Sequence, residues 1–288
     1  LKTVSSIIQI VLPGLNLMVA MFIGVTIAVI YTSFSGMKGA SAVGRVVCIG
    51  IYVLLICFVF TTLPKFGGFS GLLGELPEKY DSMGNMPTQR IVAWIVGGCI
   101  STAVMQAVLQ PLLSAKSPEA ARVGSILGYV IAAPICFFTA TCGMLSKASG
   151  ADLGDGSTAF AYAIKTFSSP VFAGIIFAFA TMIIAATMAT MMLATGTIIT
   201  NVYKTEINPD VDDAKVLTLS KTITFVFAYL TLIPAFLIPS KSLTNLFLTL
   251  QHVAAAPVSF SILAGLLWKK TTKQGAFWSM LTGMITGV

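Results

Sequence analysis

The sequence predicts an all-α membrane protein, a polytopic bundle of apolar helices without a soluble domain. Three observations lead there. Hydrophobic residues make up 56% of the 288 and charged residues 9%, where a soluble domain carries roughly a quarter charged. The mean hydropathy is +0.93. The apolar residues also fall in runs long enough to cross a hydrocarbon layer about 30 Å thick, in which a chain must satisfy its own backbone hydrogen bonds. This composition excludes an ordinary soluble enzyme, a disordered chain and a nucleic-acid module. The runs are too long for β-barrel strands of about ten alternating residues. Residues 1–288 therefore read as one transmembrane domain of about eight long helices plus one short external helix, placed as a multi-pass protein in a plasma or inner cell membrane.

The elements follow in order. The first span is predicted from Val4 to Thr32 and the second from Ser41 to Leu63, with a turn between them. Pro64 to Arg90 is a loop of turn-formers holding Gly67-Gly68. A third span covers Ile91 to Ser114. The fourth starts at Ser117-Pro118-Glu119, a cap residue followed by proline in the first turn, and ends near Ser146. Ser157 to Phe167 is helical but too short to span. The next helix, from Pro170 to about Thr200, would reach about 45 Å at 1.5 Å per residue, past the bilayer core. Another opens on Asp210, Asp212 and Asp213, where carboxylates suit the helix dipole, and ends near Ile238. A penultimate helix runs from Ser242 to Trp268 with Pro257 inside, and the last begins near Gln274.

The formal net charge is +7. In a membrane protein the first reading of such an excess is basic residues gathered in cytoplasmic loops. Counted over alternate loops, ten of the seventeen Lys and Arg fall on one side, including Lys38, Lys204, Lys269, Lys270 and Lys273, and seven on the other. This modest bias places the first set inside. All ten acids sit in loops or helix ends, so the carboxylates expected inside a proton pump are missing from the predicted spans. The five cysteines lie in apolar runs without a CxxC pair and read as small buried hydrophobes rather than a metal site. Leu1 to Ser6 lacks the basic start and cleavage site of a signal peptide. With Leu281 to Val288 stopping inside an apolar run, the sequence is expected to be part of a longer, transporter-sized chain.

Several stretches share a pattern. Tyr31-Thr32-Ser33-Phe34-Ser35-Gly36-Met37-Lys38 is similar to YT-x-x-GGMK. Gln106 to Ser117, QAVLQPLLSAKS, is similar to NQ-x-x-x-QR-x-L-x-AKS. Gly265 to Ala276, GLLWKKTTKQGA, is similar to G-x-FWK-[KR]-x-T-x-x-GA, and Thr200-Asn201-Val202-Tyr203 loosely matches T-x-D-I-Y. In this order and spacing they resemble the sodium:solute symporter family over nearly the whole chain. The resemblance implies a LeuT-type five-plus-five inverted repeat. The first two spans would close repeat one, whose first three core helices would be absent, and the later spans would form repeat two. The short helix at 157–167 would be its external cap.

Transport sites of this kind sit where a broken helix exposes backbone groups near the bilayer midplane. The third span has suitable residues: Gly97 and Gly98, then Ser101 and Thr102, then Gln106. The glycines weaken the helix and the hydroxyls can satisfy freed carbonyls; equally, small residues let helices pack closely. The resemblance aligns Gln106 with the family's NQ glutamine. Its amide suits a neutral or zwitterionic solute, or an interhelical hydrogen bond. The resemblance puts a substrate-contacting Gln at Leu248, and Gln251, three residues on, shares that helix face. His252 is a candidate proton or substrate site, with a packing histidine as the competing reading.

The family's two sodium-binding hydroxyls fall at Ala185 and Ala186, which offer no oxygen to a hard cation. A shift of register would bring Thr187 there. The family's TD pair is here Val43-Gly44 and its QR arginine is Pro111, so the sodium site is expected to be degenerate. Thr187, Thr190, Ala194, Thr197 and Asn201 form one polar or small stripe, facing either a neighbouring helix or a cavity.

The expected function is a secondary transporter moving a small organic solute by alternating access. The alternative is a membrane sensor or assembly subunit that keeps the fold, with a partner subunit, but without coupled transport. Catalytic residues, a metal centre, a cofactor and a nucleic-acid partner are not expected. The partners are the solute and the bilayer, and sodium is the coupling ion in question.

Overall fold

The structure is a computed structural model. It describes residues 1–80, 86–153, 156, 158–237 and 255–286, with side chains at all of these except 33–43, 79, 103, 106, 107, 110 and 256. The described residues form twelve α-helices and no strand. In chain order these are α1 (Lys2–Val11), α2 (Leu17–Thr62), α3 (Gly68–Gly74), α4 (Thr88–Val104), α5 (Gln106–Leu113) and α6 (Pro118–Ala148). There follow α7 (Ala159–Phe167), α8 (Pro170–Val202), α9 (Asp213–Leu230), α10 (Leu232–Leu237), α11 (Ala256–Leu267) and α12 (Lys273–Thr286). Among the described residues, four stretches are long and apolar enough to cross a membrane: Gly44–Phe66, Pro118–Ala148, Pro170–Ile207 and Asp213–Leu237.

The all-α class is as the sequence predicts, but several boundaries differ: the stretch from Pro64 to Arg90 read as a loop contains the short helix α3, and two spans start or end elsewhere. The expected first span is broken at its start. Pro13 fixes its own φ and lacks an N–H, Gly14 takes a positive φ of 95°, and Asn16 then caps α2 by accepting from the Met18 amide at 2.9 Å. The Gln9 amide closes the turn by donating to Leu15 O at 3.0 Å. Conversely, the expected turn near residues 33–40 is absent: α2 runs 46 residues without interruption, about 69 Å. Nothing between Ser33 and Val43 forbids helix, since the segment contains no proline. The fourth span starts as read, the Ser117 hydroxyl accepting from the Ala120 amide at 3.1 Å. The long helix α8 is likewise capped by Ser169, which accepts from the Phe172 amide.

The chain divides into two compact units. The first comprises Leu1–Leu76 and Gly128–Lys241. Its core joins Leu55, Phe58 and Val59 of α2 to Leu145 of α6, Ile164 of α7 and Ile176 of α8. A smaller cluster packs Val25 and Ala28 of α2 against Met192 of α8 and Ala228 of α9. Apolar surface gains little by leaving lipid, so close approach and interhelical polar contacts carry such packing. Gly196 shows this: a methyl group there would lie 3.0 Å from Ser220 O and against the Thr224 hydroxyl. At the other end of α9, Tyr229 stacks on Phe22 at 5.6 Å and its hydroxyl is 3.3 Å from Thr26 Oγ1.

The second unit comprises Pro77–Leu127 and Ser242–Val288. Here α11 packs on both α4 and α12. Pro257 lies in the first turn of α11 and leans on Gly283, where a side chain would collide with its ring. The Ser261 hydroxyl of α11 donates to Ala276 O of α12 at 3.3 Å.

All five cysteines are free; only Cys142 is buried, and the other four lie on exposed faces rather than in the core as expected.

Candidate functional site

In the second unit, the segment read as one broken span is indeed interrupted, at Met105 rather than at the glycine pair. Gly97 and Gly98 stay helical within α4. Met105 is extended (φ −61°, ψ 129°), and its N–H turns back to Thr102 O. The chain re-enters helix at Gln106, with the Val108 and Leu109 amides both donating to Met105 O at 2.9 Å. Ends of helices leave carbonyls on one side and N–H groups on the other without intrahelical partners. The Met105 break therefore sets the carbonyl end of α4 against the amide end of α5. Pro111, inside the eight-residue α5, cannot donate to Ala107 O and further weakens this short helix.

Of the residues singled out here, Ser101 is buried, with its hydroxyl 3.4 Å from Gly98 O. Gly97, Gly98 and Thr102 are half-buried. Gln106 opens α5, and its side chain lies outside the description. Gln251 and His252 lie outside the described residues. The Met105 break has no local signature in the sequence; the one hint is the proline six residues on.

In the first unit, α8 is unbroken across the positions read as ionic. Ala185 is buried, Ala186 half-buried and Thr187 exposed. Thr187 donates to Ile183 O at 3.0 Å, and the Ala186 carbonyl accepts from Thr190 at 3.0 Å. Thr195, Thr197 and Thr200 likewise donate to the carbonyl four residues back. The stripe read from the sequence is divided by the packing: Ala194 is buried, Thr190 half-buried, and Thr187, Thr197 and Asn201 exposed. The face α8 buries is instead Ala185, Ala189, Met192, Gly196 and Thr200.

Beyond α8 the chain makes a π-turn from Tyr203 to Ile207, and Lys204 Nζ pairs with Asp213 at 2.6 Å. An open cleft of about 750 Å³ lies here, lined by Tyr203, Asn208, Asp210, Asp212, Lys215 and Thr218 among others. Among the described residues no group of three His, Cys, Asp or Glu could hold a metal ion.

Comparison with known proteins adds to this geometry. The family model described as the sodium:solute symporter family matches residues 4–283. The chain is 24% identical over 284 residues to the "Uncharacterized symporter YodF" of Bacillus subtilis (strain 168), covering 94% of this chain and 55% of that protein. It is 20% identical over 203 residues to the "Sodium/glucose cotransporter 4" of Danio rerio, covering 64% of this chain and 31% of that one. The chain thus spans about half the length of the first relative and about a third of the second.

Proposed function

From the premise that this chain belongs to the sodium:solute symporter family and is part of a multi-pass membrane protein, we propose that it is the later portion of a secondary transporter. It moves a small organic solute by alternating access, in the plasma membrane where such carriers work. The observation that carries the proposal is the helix break at Met105. Opposed helix ends bring backbone carbonyls and amides together where a solute could meet them, with no charged side chain needed. Gln106, the first residue after the break, adds an amide suited to a neutral or zwitterionic solute. Gln251 and His252 are assigned to the same solute site by sequence alone.

The coupling ion is the finer part of the proposal. We place no functional sodium ligand on α8. Alanine side chains at 185 and 186 supply no oxygen, and Thr187, the hydroxyl a shift of register would bring there, lies on an exposed face of α8 while Ala185 is buried. The LeuT-type repeat, with this chain supplying all but its first three helices, remains the architecture the motifs imply. Solute uptake into vesicles holding the full-length protein, driven in turn by imposed sodium and proton gradients, tests this. The expected result is uptake that continues when sodium is replaced by potassium. Uptake strictly dependent on sodium overturns the degenerate site while leaving the transporter reading intact.

The same alanine pair favours a second reading, a sensor or assembly subunit of transporter fold. Counterflow exchange of the solute by the full-length protein separates the two, since exchange requires alternating access and a sensor would show none.

A further inference from the structure

We propose that the turn joining α11 to α12, Trp268 to Lys273, is a docking site for anionic phospholipid headgroups. The proposal rests on the chain being a membrane protein and not on its transport activity.

The turn concentrates positive charge without compensation. Lys269, Lys270 and Lys273 fall within five positions and are exposed. None forms an ion pair among the described residues, and the sequence holds no Asp or Glu after Asp213. Other turns of the molecule differ. Lys204 is neutralised by Asp213 at 2.6 Å, and Lys116 and Arg122 flank Glu119. A general excess of lysine at helix ends would not single out one turn in this way.

The turn is also held in shape by its own hydrogen bonds. Thr271 Oγ1 donates toward Ala264 O at 2.9 Å and Trp268 O at 2.8 Å. Thr272 Oγ1 accepts from the Gly275 amide at 3.1 Å, and the Trp268 amide donates to Ala264 O at 2.8 Å. What the turn offers a partner is three ammonium groups on a fixed frame, with the exposed Thr272 hydroxyl among them, beside the first amides of a fourteen-residue helix.

Aromatic and apolar side chains set the depth. Leu266, Leu267 and Trp268 on one side of the turn are each more than 60% exposed. On the other, Phe277 and Trp278 are exposed and meet edge to face at 5.6 Å. Trp278 lies five residues beyond Lys273, about 7.5 Å along the helix. That distance matches the headgroup layer, which adds roughly 5–8 Å to each side of the hydrocarbon core. Tryptophan favours the interface, so the lysines are level with the phosphates when Trp278 sits at the boundary between headgroups and acyl chains. A soluble anion would account for the charge but not for the apolar collar, and a zwitterionic lipid would account for the collar but not the charge.

Native mass spectrometry of the full-length protein in neutral detergent, titrated with phosphatidylglycerol or phosphatidylcholine, tests the proposal. We expect phosphatidylglycerol to bind more tightly than phosphatidylcholine, and K269Q/K270Q/K273Q to weaken it by about fivefold per lysine. The matching triple arginine variant should bind as the parent does, and added salt should weaken the parent's binding through screening. The proposal is overturned if the glutamine variant binds phosphatidylglycerol as the parent does, or if phosphatidylcholine binds equally well. It is also overturned if glycerol phosphate displaces the lipid at matched concentration, which would make the turn a site for free anions. The exposed lysines lie outside the packed faces, so the glutamine variant should fold, and its elution profile checks this.

Discussion

The α4–α5 segment and α8 are built from similar residues and end up differently. Both are apolar and rich in glycine, alanine and hydroxyl side chains. Yet α8 runs unbroken from Pro170 to Val202, while the other is interrupted at Met105. Small residues therefore do not break a helix here, since even the Gly97-Gly98 pair stays inside α4. Backbone bookkeeping separates the two. In α8 five threonines return their hydroxyls to the carbonyl four residues back, at 2.8 to 3.1 Å, and the proline is in the first turn, where no donor is lost. In α5 the proline falls at the sixth of eight residues. Proline alone is not sufficient: α6 carries Pro134 and remains continuous over 31 residues. There, more than a dozen helical residues on each side propagate the helix, whereas α5 is too short to stand on its own.

The largest effect expected from this comparison is on α8, whose continuity is welded by close packing. Gly196→Leu would drive a side chain into Ser220 O and the Thr224 hydroxyl, backbone and buried atoms that cannot move aside. Overpacking of this kind costs about 1–3 kcal/mol or more. The variant should lose its monodisperse peak in fluorescence-detected size exclusion. Gly174→Leu, in the same helix with open space around it, should keep that peak. Equal behaviour of the two would mean that α8 is not held by its contact with α9.

The second effect falls on the break. Pro111→Ala restores a donor for Ala107 O and relieves part of the roughly 3 kcal/mol an interior proline costs a helix. The shift favours α5 merging with α4 through Met105. If the break is where the solute binds, uptake by the full-length protein should fall about tenfold while the yield of folded protein holds or rises. Unchanged uptake would separate the break from transport.

These two sites also mark how far the sequence could be read. The all-α class, the cap at Ser117, the helix start at Pro170 and the non-spanning helix before it were legible because they depend on local chemistry: run length, a hydroxyl before a helix, a proline in a first turn. The Pro13-Gly14-Leu15-Asn16 break carried equally local signals, which the apolar run around it masked. Met105 carried none. Its conformation depends on how much helix lies beyond it, and the glycines nearby drew attention to the wrong residue. The stripe on α8 went astray for a related reason. Periodicity gives which residues share a face, but not which face meets α9. Gly196 and Met192 do, because Thr224 and Ser220 lie opposite, and no pattern within α8 reveals that.

The smallest expected effect is the sharpest test of α8 as a scaffold rather than an ion ligand. Thr187 is the one hydroxyl that a shift of register would bring to the family's sodium position. Thr187→Val keeps the shape and removes the oxygen. The hydroxyl is exposed and spends its donor on Ile183 O within its own helix, a bond that stabilises little because the carbonyl is already in the helical ladder. The variant should fold as the parent does, and its uptake should keep the parent's response to sodium within about twofold. A coordinating hydroxyl behaves otherwise: loss of one oxygen from a hard-cation site that uses several would shift half-saturation by sodium by tenfold or more. Measuring uptake against sodium concentration for both proteins distinguishes these outcomes. A large shift would turn α8 from the continuous wall of the comparison into its coupling element, and the alanines at 185 and 186 would then have to be read as a site rebuilt one residue along.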